Sequence, residues 1–375
     1  MNSIQTSSLH WLEMFPDEIF LEIFKYVKPI DLHSFIGHNQ RINNIIRDVK
    51  LNIIIEFLHK EDDLTYLMSF LPHQFIHLEL NIAWKVLDLH SYTRLRSLKI
   101  NHYGLSKSEL DHILTAKLPC LEQFSICNLP FLVENKFLHG VLDDKHFPSL
   151  KMCQFSGSYC YILIPNKQYQ SLNLTIRTLV LNFLNQSGLI SLLNILPNLR
   201  RLETSFPVSI RESENFNLNH ISLEQLRIGL VDPSNDLEKI LPYIPNLKQL
   251  RVTGKINEQS ILEHFQKLTK MFCMYTSNLE KFDCELYHYG CNKQIDIFII
   301  QQLHPLFKMI QCHSGNNFEQ CYTTDLMEFP ISKLITCEFR PISSDMRSKT
   351  KHLGYYPEIN KYDSIQHLDN DGDWV

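Results

Sequence analysis

Residues 196–204 read "LPNLRRLET" and residues 244–252 read "IPNLKQLRV". In the second, Leu247, Leu250 and Val252 follow the order apolar-x-x-apolar-x-apolar, and the first keeps the same spacing with Leu199 and Leu202. Alternation over so few residues is the mark of a strand with one face buried. The leading Pro closes whatever comes before it, because the residue ahead of a Pro is driven out of helical geometry. Working outward, "LPCLEQFSI" (118–126) and "FPSLKMCQF" (147–155) repeat the phrase with its Pro. "FIHLEL" (75–80), "LRSLKI" (95–100), "IRTLVL" (176–181), "SLEQLRI" (222–228) and "NLEKFDC" (278–284) repeat it without one.

The first apolar position falls at Phe75, Leu95, Leu121, Leu150, Ile176, Leu199, Leu223, Leu247 and Leu279, intervals of 20 to 32 residues. That period holds one strand and one helix, the size of a repeat that cannot bury its own apolar face and must stack on neighbours. Helical spacing is visible between phrases: Leu110, Ile113 and Leu114 in "SKSELDHILTAKL" (106–118), and Leu237, Ile240 and Leu241 in "DLEKILPYI" (236–244). Weaker copies are expected at Leu306 ("LFKMIQ") and Leu334 ("LITCEF"). The pattern resembles degenerate leucine-rich repeats, and the resemblance implies an α/β horseshoe solenoid with parallel strands. The Asn or Cys that those repeats carry three positions after the last strand residue is replaced here by Tyr103, Pro207, Val231 and Lys255.

Alternate residues of a strand point away from the core, so the middle x position of each phrase should line up as a column. That column reads Lys99, Ser125, Gln154, Val180, Glu203, Arg227, Arg251 and Asp283. Arg227 and Arg251 on adjacent units, with Arg201 to the side, could hold the carboxylate or phosphoryl group of a bound segment bidentately. The same column also reads as a solvated charged face balanced by Glu203 and Asp283.

Ahead of the repeats, "MFPDEIFLEIFKYVKPIDL" (14–32) crowds apolar and aromatic side chains into one short helix. Pro16 suits a first turn, Asp17 and Glu18 sit at the positive end of the helix dipole, and Pro29 stops the helix. Ile19, Ile23 and Val27 form one row and Phe20 with Phe24 a second, a broader apolar arc than one core contact needs. A second short helix is expected from Pro29 to about Ile36, and a third from Arg41 with Ile42, Ile45, Ile46 and Val49 at i, i+3, i+4, i+7.

This unit resembles the F-box, whose pattern runs Leu-Pro-x-Glu-Ile/Leu-Leu-x-x-Ile-Phe-x-x-Leu with an acidic-Leu pair later. The matching positions are Phe15, Pro16, Glu18, Ile19, Phe20, Ile23, Phe24, Val27, Asp31 and Leu32, with Phe15, Phe20 and Val27 standing where the family has Leu. The Cys-Lys-x-Trp segment of many F-boxes is replaced by "GHNQRINNII" (37–46). The resemblance implies the substrate-recognition subunit of a cullin-based SCF ubiquitin ligase. Phe15, Pro16, Ile19, Phe20, Ile23, Val27 and Leu32 would dock on the small adaptor subunit, and through it on a cullin, while the repeats bind a protein target. Read without the resemblance, the helices also fit a cap sealing the first repeat of a scaffold that binds a protein partner without joining a ligase.

The division expected is a helical domain at 10–50, repeats at 51–345 and a polar tail at 346–375. Composition narrows the remaining classes. With 44% hydrophobic and 21% charged residues the chain is that of a folded protein, and a net charge of −5 supplies no basic stripe for nucleic acid. Eleven glycines include no phosphate-cradling loop. No secretory signal and no spanning segment is visible, so a cytoplasmic or nuclear protein with reduced cysteines and no membrane partner is expected. The sequons at Asn173 and Asn185 would then be incidental. Cys120/Cys127, Cys153/Cys160 and Cys284/Cys291 have gaps too long for structural zinc, and Asp369, Asp371 and Asp373 lack the closing Glu of a calcium loop. No metal, cofactor or catalytic constellation is expected, and the chain reads as a non-enzyme.

Overall fold

The structure, a computed structural model, describes residues 15–27, 29–37, 40–49, 51–55, 72–81, 88–101, 106–127, 134–143, 145–156, 161–162, 173–206, 208, 210, 219–256, 260–289, 296–314 and 319–324. All of them lie within the compact unit Met1–Ile335. The tail expected at 346–375, the phrase at Leu334, and Tyr103 and Pro207 fall outside the described residues.

The phrases are strands of one open, mostly parallel sheet. Its strands are β1 (Leu51–Ile55), β2 (Phe75–Leu80), β3 (Ser97–Ile100), β4 (Gln123–Cys127), β5 (Met152–Ser156), β6 (Tyr161–Ile162), β7 (Thr178–Leu184), β8 (Arg201–Ser205), β9 (Gln225–Leu230), β10 (Gln249–Ile256), β11 (Lys281–Tyr289), β12 (Gln311–Ser314) and β13 (Glu319–Thr323). The order is β1-β2-β3-β4-β5-β7-β8-β9-β10-β11-β13-β12, with β6 paired to β7 off that path.

The leading Pro has a local cause. The carbonyl of Leu118 accepts the N–H of Leu121 at 3.1 Å, and Phe147–Leu150 (3.1 Å), Leu196–Leu199 (3.0 Å) and Ile244–Leu247 (3.3 Å) repeat the bond. Pro119, Pro148, Pro197 and Pro245 thus occupy the second position of a β-turn, where a fixed φ helps and a missing N–H costs nothing. Two residues later each strand begins. There, one carbonyl of the preceding unit takes two N–H groups of the next: Arg96 from Glu122 and Gln123, Glu122 from Lys151 and Met152, Lys151 from Arg177 and Thr178. The pattern runs on through Arg177, Arg200, Glu224 and Lys248, all at 2.8–3.0 Å.

Helices α4 (Lys107–Thr115), α5 (Glu134–Leu142), α6 (Gln186–Ile195), α7 (Pro233–Ile240), α8 (Ile261–Tyr275) and α9 (Ile297–Leu303) lie between strands. They cover the face that carries the apolar positions: Phe124 on β4 meets Phe137 on α5 at 5.9 Å, and Phe282 on β11 meets Phe272 on α8 at 5.1 Å. Caps set where they start. Ser106 and Glu109 form a reciprocal capping box (3.3 and 2.6 Å), and Asn185 accepts the Gly188 N–H at 2.7 Å. Both sequon asparagines are therefore structural. Asn173, 1% exposed, donates to the Leu142 carbonyl and accepts from the N–H groups of Thr175 and Ile176, which ties a loop to the end of α5.

No helix occurs among the described residues between β8 and β9, and residues 211–218 of that connection lie outside them. Two expectations are corrected. The copy expected at Leu306 is displaced. Pro305–Phe307 is a short 3-10 turn, the Phe307 carbonyl accepts the Ile310 N–H at 3.0 Å, and the strand starts at Gln311. Ile310 thus holds the place that Leu247 and Leu279 hold in their units. Moreover β12 and β13 are antiparallel to their neighbours, so the parallel array ends at β11.

At the N-terminus stand α1 (Asp17–Tyr26), α2 (Pro29–Leu32) with a 3-10 turn at His33–Phe35, and α3 (Gln40–Asp48), close to the three helices expected. Arg41 ties α3 to the start of α1: its Nε donates to Asp17 Oδ1 at 2.7 Å, another of its nitrogens donates to the Phe15 carbonyl, and its guanidinium lies 5.8 Å from the Phe20 ring centre. Gly37, at φ +91°, makes the turn into α3 and donates its N–H to Asn43 Oδ1 at 2.9 Å. Ile42, Ile45, Ile46 and Val49 are buried as their spacing requires, and they join Phe20, Phe24, Leu51 and Phe75 in one continuous core. The helical unit thus shares one core with the sheet. Among the described residues no helix is long and apolar enough to cross a membrane.

Candidate interaction surfaces

Two surfaces stand out, and both follow from the periodicities above. The first is the outer side of α1. Helical geometry advances about 100° per residue, so Ile19, Ile23 and Tyr26 fall within about 60° of one another, while Phe20 and Phe24 lie roughly 100° further round. The two rows have opposite fates. Phe15 (45%), Ile19 (45%), Ile23 (47%) and Tyr26 (82%) are exposed, whereas Phe20 (4%) and Phe24 (2%) are buried. The inner row is an aromatic stack: Phe20–Phe24 at 5.8 Å and Phe24–Phe35 at 5.4 Å. Val27 falls angularly between the rows and is half-buried against the core.

Of the seven adaptor-contact residues expected, Phe15, Pro16, Ile19 and Ile23 lie on the exposed side and Val27 on its margin. Phe20 and Leu32 do not. Phe20 is held inside by Phe24 and by Arg41, and Leu32, 0% exposed, is enclosed in the same core. Sequence reasoning missed Tyr26. Its signal was the i+3 and i+7 spacing from Ile23 and Ile19, obscured by the neighbouring Val27.

The second surface is the face of the sheet opposite the helices. Here the strand register joins the expected column into one row: Glu79, Lys99, Ser125, Gln154, Val180, Glu203, Arg227, Arg251 and Asp283, each paired with the next across adjacent strands. Glu79 extends the row by one strand. At that end it takes Lys99 Nζ at 3.0 Å and Asn101 Nδ2 at 2.8 Å, a satisfied group. Further along, the Glu203 carboxylate, its side chain 4% exposed, sits between two guanidinium groups: Arg201 Nη2 at 3.5 Å and Arg227 Nη1 at 3.3 Å. At the far end Lys281 contacts Asp283 at 2.8 Å. Of the three arginines expected to meet a ligand, Arg201 and Arg227 thus share an acid of the chain itself, and Arg251 stands in register between Arg227 and Asp283.

A further row on this face runs Ser205, Gly229, Thr253 and Glu285 in register. A Cβ at Gly229 would lie 2.5 Å from Ser205 Oγ and 3.3 Å from Thr253 Oγ1, so a larger residue there would force the Ser205 side chain to move.

Among the described residues no three His, Cys, Asp or Glu side chains gather as a metal site would require, and the cysteines there are free thiols. Cys160, Cys291 and the Asp369–Asp373 stretch lie outside the described residues. Burial pushes the Cys153 thiol well above its ordinary pKa, which marks a core group. Two other perturbed groups, Asp236 and His304, are structural too. Burial raises the Asp236 carboxyl, which accepts the Ile210 N–H at 2.8 Å and the Asp232 N–H at 3.2 Å. Burial lowers His304, which packs on Phe272 and Phe307 and accepts the Leu306 N–H.

No family model matches the sequence, and no curated protein is similar enough to it to count as a relative. The functional reading therefore stands on the residues themselves.

Proposed function

We propose that the chain is a non-catalytic substrate-recognition subunit of a cullin-based SCF ubiquitin ligase. In this reading the N-terminal helices are an F-box that docks on the small adaptor subunit, the strand units are degenerate leucine-rich repeats, and the sheet face opposite the helices holds a protein target. The observation that carries it is the division of α1 into an inner row and an exposed row. Phe15, Pro16, Ile19 and Ile23, at the positions where the resemblance puts adaptor contacts, are left outside a helix whose aromatic residues already fill the chain's own core. A helix that only sealed the first repeat would bury its apolar side inward and present polar groups outward.

The mechanism is proximity. A target held on the repeats meets the conjugating enzyme at high effective concentration, so transfer becomes nearly intramolecular, and the chain needs no reactive group of its own. Apolar anchors desolvated in a partner's groove are where interface energy concentrates, about 2 kcal/mol or more for each central residue on truncation. Co-purification with the adaptor tests the reading. The full chain should retain it, and an Ile19→Asp, Ile23→Asp double variant should lose it with an unchanged melting curve, since both residues are exposed. If the unaltered chain fails to retain the adaptor, the ligase reading is abandoned for a scaffold without a ligase.

A further inference from the structure

We propose that the edge of the sheet where β5, β7 and β8 begin binds a short acidic segment interspersed with apolar residues, with Arg177 and Arg200 at the centre of the contact. This edge is neither the outer row of α1 nor the sheet face opposite the helices, so the inference rests on no reading of those two surfaces.

The backbone lines the charges up. The residue ahead of each strand is the one whose carbonyl takes two N–H groups of the next unit, and in chain order these are Arg96, Glu122, Lys151, Arg177, Arg200, Glu224 and Lys248. Each carbonyl bonds the next residue of the row, so neighbours in the row are neighbours in space, about 5 Å apart. Toward both ends the signs alternate and the groups pair: Glu122 meets Lys151 at 3.2 Å and Arg96 at 3.9 Å, and Glu224 meets Lys248 at 3.3 Å. In the middle Lys151, Arg177 and Arg200 are consecutive cations. Arg177 Nη1 donates to the Asn198 carbonyl at 3.1 Å, a neutral group that leaves the charge uncompensated. Arg200 is exposed, and among the described residues its guanidinium has no hydrogen-bond or ion-pair partner. Glu224 follows it in the row but turns to Lys248, and Arg201 beside it turns to Glu203. In a chain that carries −5 overall, this run attracts negative groups that the rest of the surface repels.

Apolar groups stand on the same edge. Two residues ahead of the first apolar position, four units carry Pro119, Pro148, Pro197 and Pro245, but the units of β7 and β9 carry Leu174 and Ile221. These two are 54% and 64% exposed. Leu174 is tied to the cations through one residue: Asn198 donates its side-chain N–H to the Leu174 carbonyl at 3.0 Å, and its own carbonyl accepts Arg177. A partner that covered the apolar groups would exclude water from the neighbouring ion pairs and strengthen them.

The width of the strip sets the kind of partner. Three strand entries span about 10 Å, and an extended segment rises about 3.3 Å per residue, so acids three residues apart reach from Lys151 to Arg200. Glu122 closes the strip on one side and Glu224 on the other. A planar anionic surface such as a membrane would press against both acids, whereas a short segment fits between them. Guanidinium groups on adjacent strands suit carboxylates, which each can hold by two parallel N–H donors.

Fluorescence anisotropy with the full chain tests this. The probes are a labelled short peptide in which Asp and Glu alternate with Leu, and the same peptide with Asn and Gln in place of the acids. The acidic peptide should bind, and binding should weaken as salt rises from about 0.01 to 0.15 M, where the screening length falls from about 30 to 8 Å. The amide peptide should bind at least about tenfold more weakly. Arg200→Gln should weaken the acidic peptide by about tenfold, the loss of one charge-assisted contact. Leu174→Ser and Ile221→Ser should each weaken it several-fold with an unchanged melting curve, since both residues are exposed. Lys107→Gln, which removes an exposed charge from α4, should change it little. Glu224→Gln should tighten binding several-fold, because it removes an acid that closes the strip, a gain that a loss of folding could not mimic. The inference is overturned if the acidic peptide does not bind, if the amide peptide binds as well, if Arg200→Gln leaves affinity unchanged, or if Glu224→Gln weakens it. Co-sedimentation with phosphatidylserine vesicles that is lost in Arg200→Gln would also overturn it and assign the strip to a membrane. Adaptor capture by α1 enters none of these readouts, so this inference and the ligase reading fail separately.

Discussion

Replacing Phe24 with Ala and Ile23 with Ala should separate the two sides of α1 by several kcal/mol, although the residues are neighbours. The Phe24 ring is 2% exposed and packs on Phe20 at 5.8 Å and Phe35 at 5.4 Å. A buried Phe hides at least roughly 150 Å², worth about 4 kcal/mol at 25 cal/mol per Å², and core Phe→Ala changes cost about 3–5 kcal/mol. Ile23 is 47% exposed and lies on the outer row, so its truncation should stay within about 0.5 kcal/mol. Urea titration of the full chain, followed by far-UV circular dichroism, reads both values from the midpoint shift. Because the helices share one core with the sheet, the loss at Phe24 should appear in the main transition. A Phe24→Ala cost under about 1 kcal/mol, or an Ile23→Ala cost above about 2 kcal/mol, would mean that the rows have been assigned to the wrong sides.

The other expectations concern backbone, loops and pH. Gly254→Ala should cost about 1–3 kcal/mol or more in the same titration, since its Cβ would lie 2.3 Å from the Leu230 carbonyl oxygen, whereas Gly37→Ala meets no atom within 4 Å and should cost about 1–2 kcal/mol for its positive φ alone. Asn173→Ala leaves the N–H groups of Thr175 and Ile176 without their acceptor, and a loss of about 1–3 kcal/mol with faster hydrogen exchange at both amides is expected. His304 is held below its ordinary pKa by burial and uses neutral Nδ1 as an acceptor, so the unfolded chain binds the proton more readily. Its contribution to stability is complete above about pH 6.5 and declines as pH falls through that range toward the folded-state value, and His304→Phe should flatten that part of a melting-temperature profile.

Much of the sheet was legible because a strand's period of two and a turn's Pro are local. The register row from Lys99 to Asp283 was readable in the spacing of the phrases, since each unit enters through the same turn and starts its strand two residues later. What depended on tertiary pairing was not legible. Nothing in "LFKMIQ" announces that β13 will insert in reverse between β11 and β12, or that Ile310 and not Leu306 is the anchor. At α1 the two rows were visible but not their sides: that choice is made by Phe35 and Arg41, which reach the helix from later in the chain. Leu32 was given as an adaptor contact on the resemblance alone, and its enclosure in the core depends on the packing of α2, which the sequence does not show. The pairing of Glu203 with both flanking arginines was likewise beyond the sequence, where an acid next to a base reads equally as a partner or as a balance of solvated charge.

The reversal at β13 has a consequence for assembly. A parallel array whose units repeat one backbone pattern offers, at its open edge, a template for the first strand of another copy, and such edges invite end-to-end pairing. Among the described residues β13 enters against the array between β11 and β12, so β12, although it runs with the array, is hydrogen-bonded to an antiparallel neighbour and is four residues long. A copy of β1 laid on that edge would meet a short strand, one of the ways in which sheets blunt their edges.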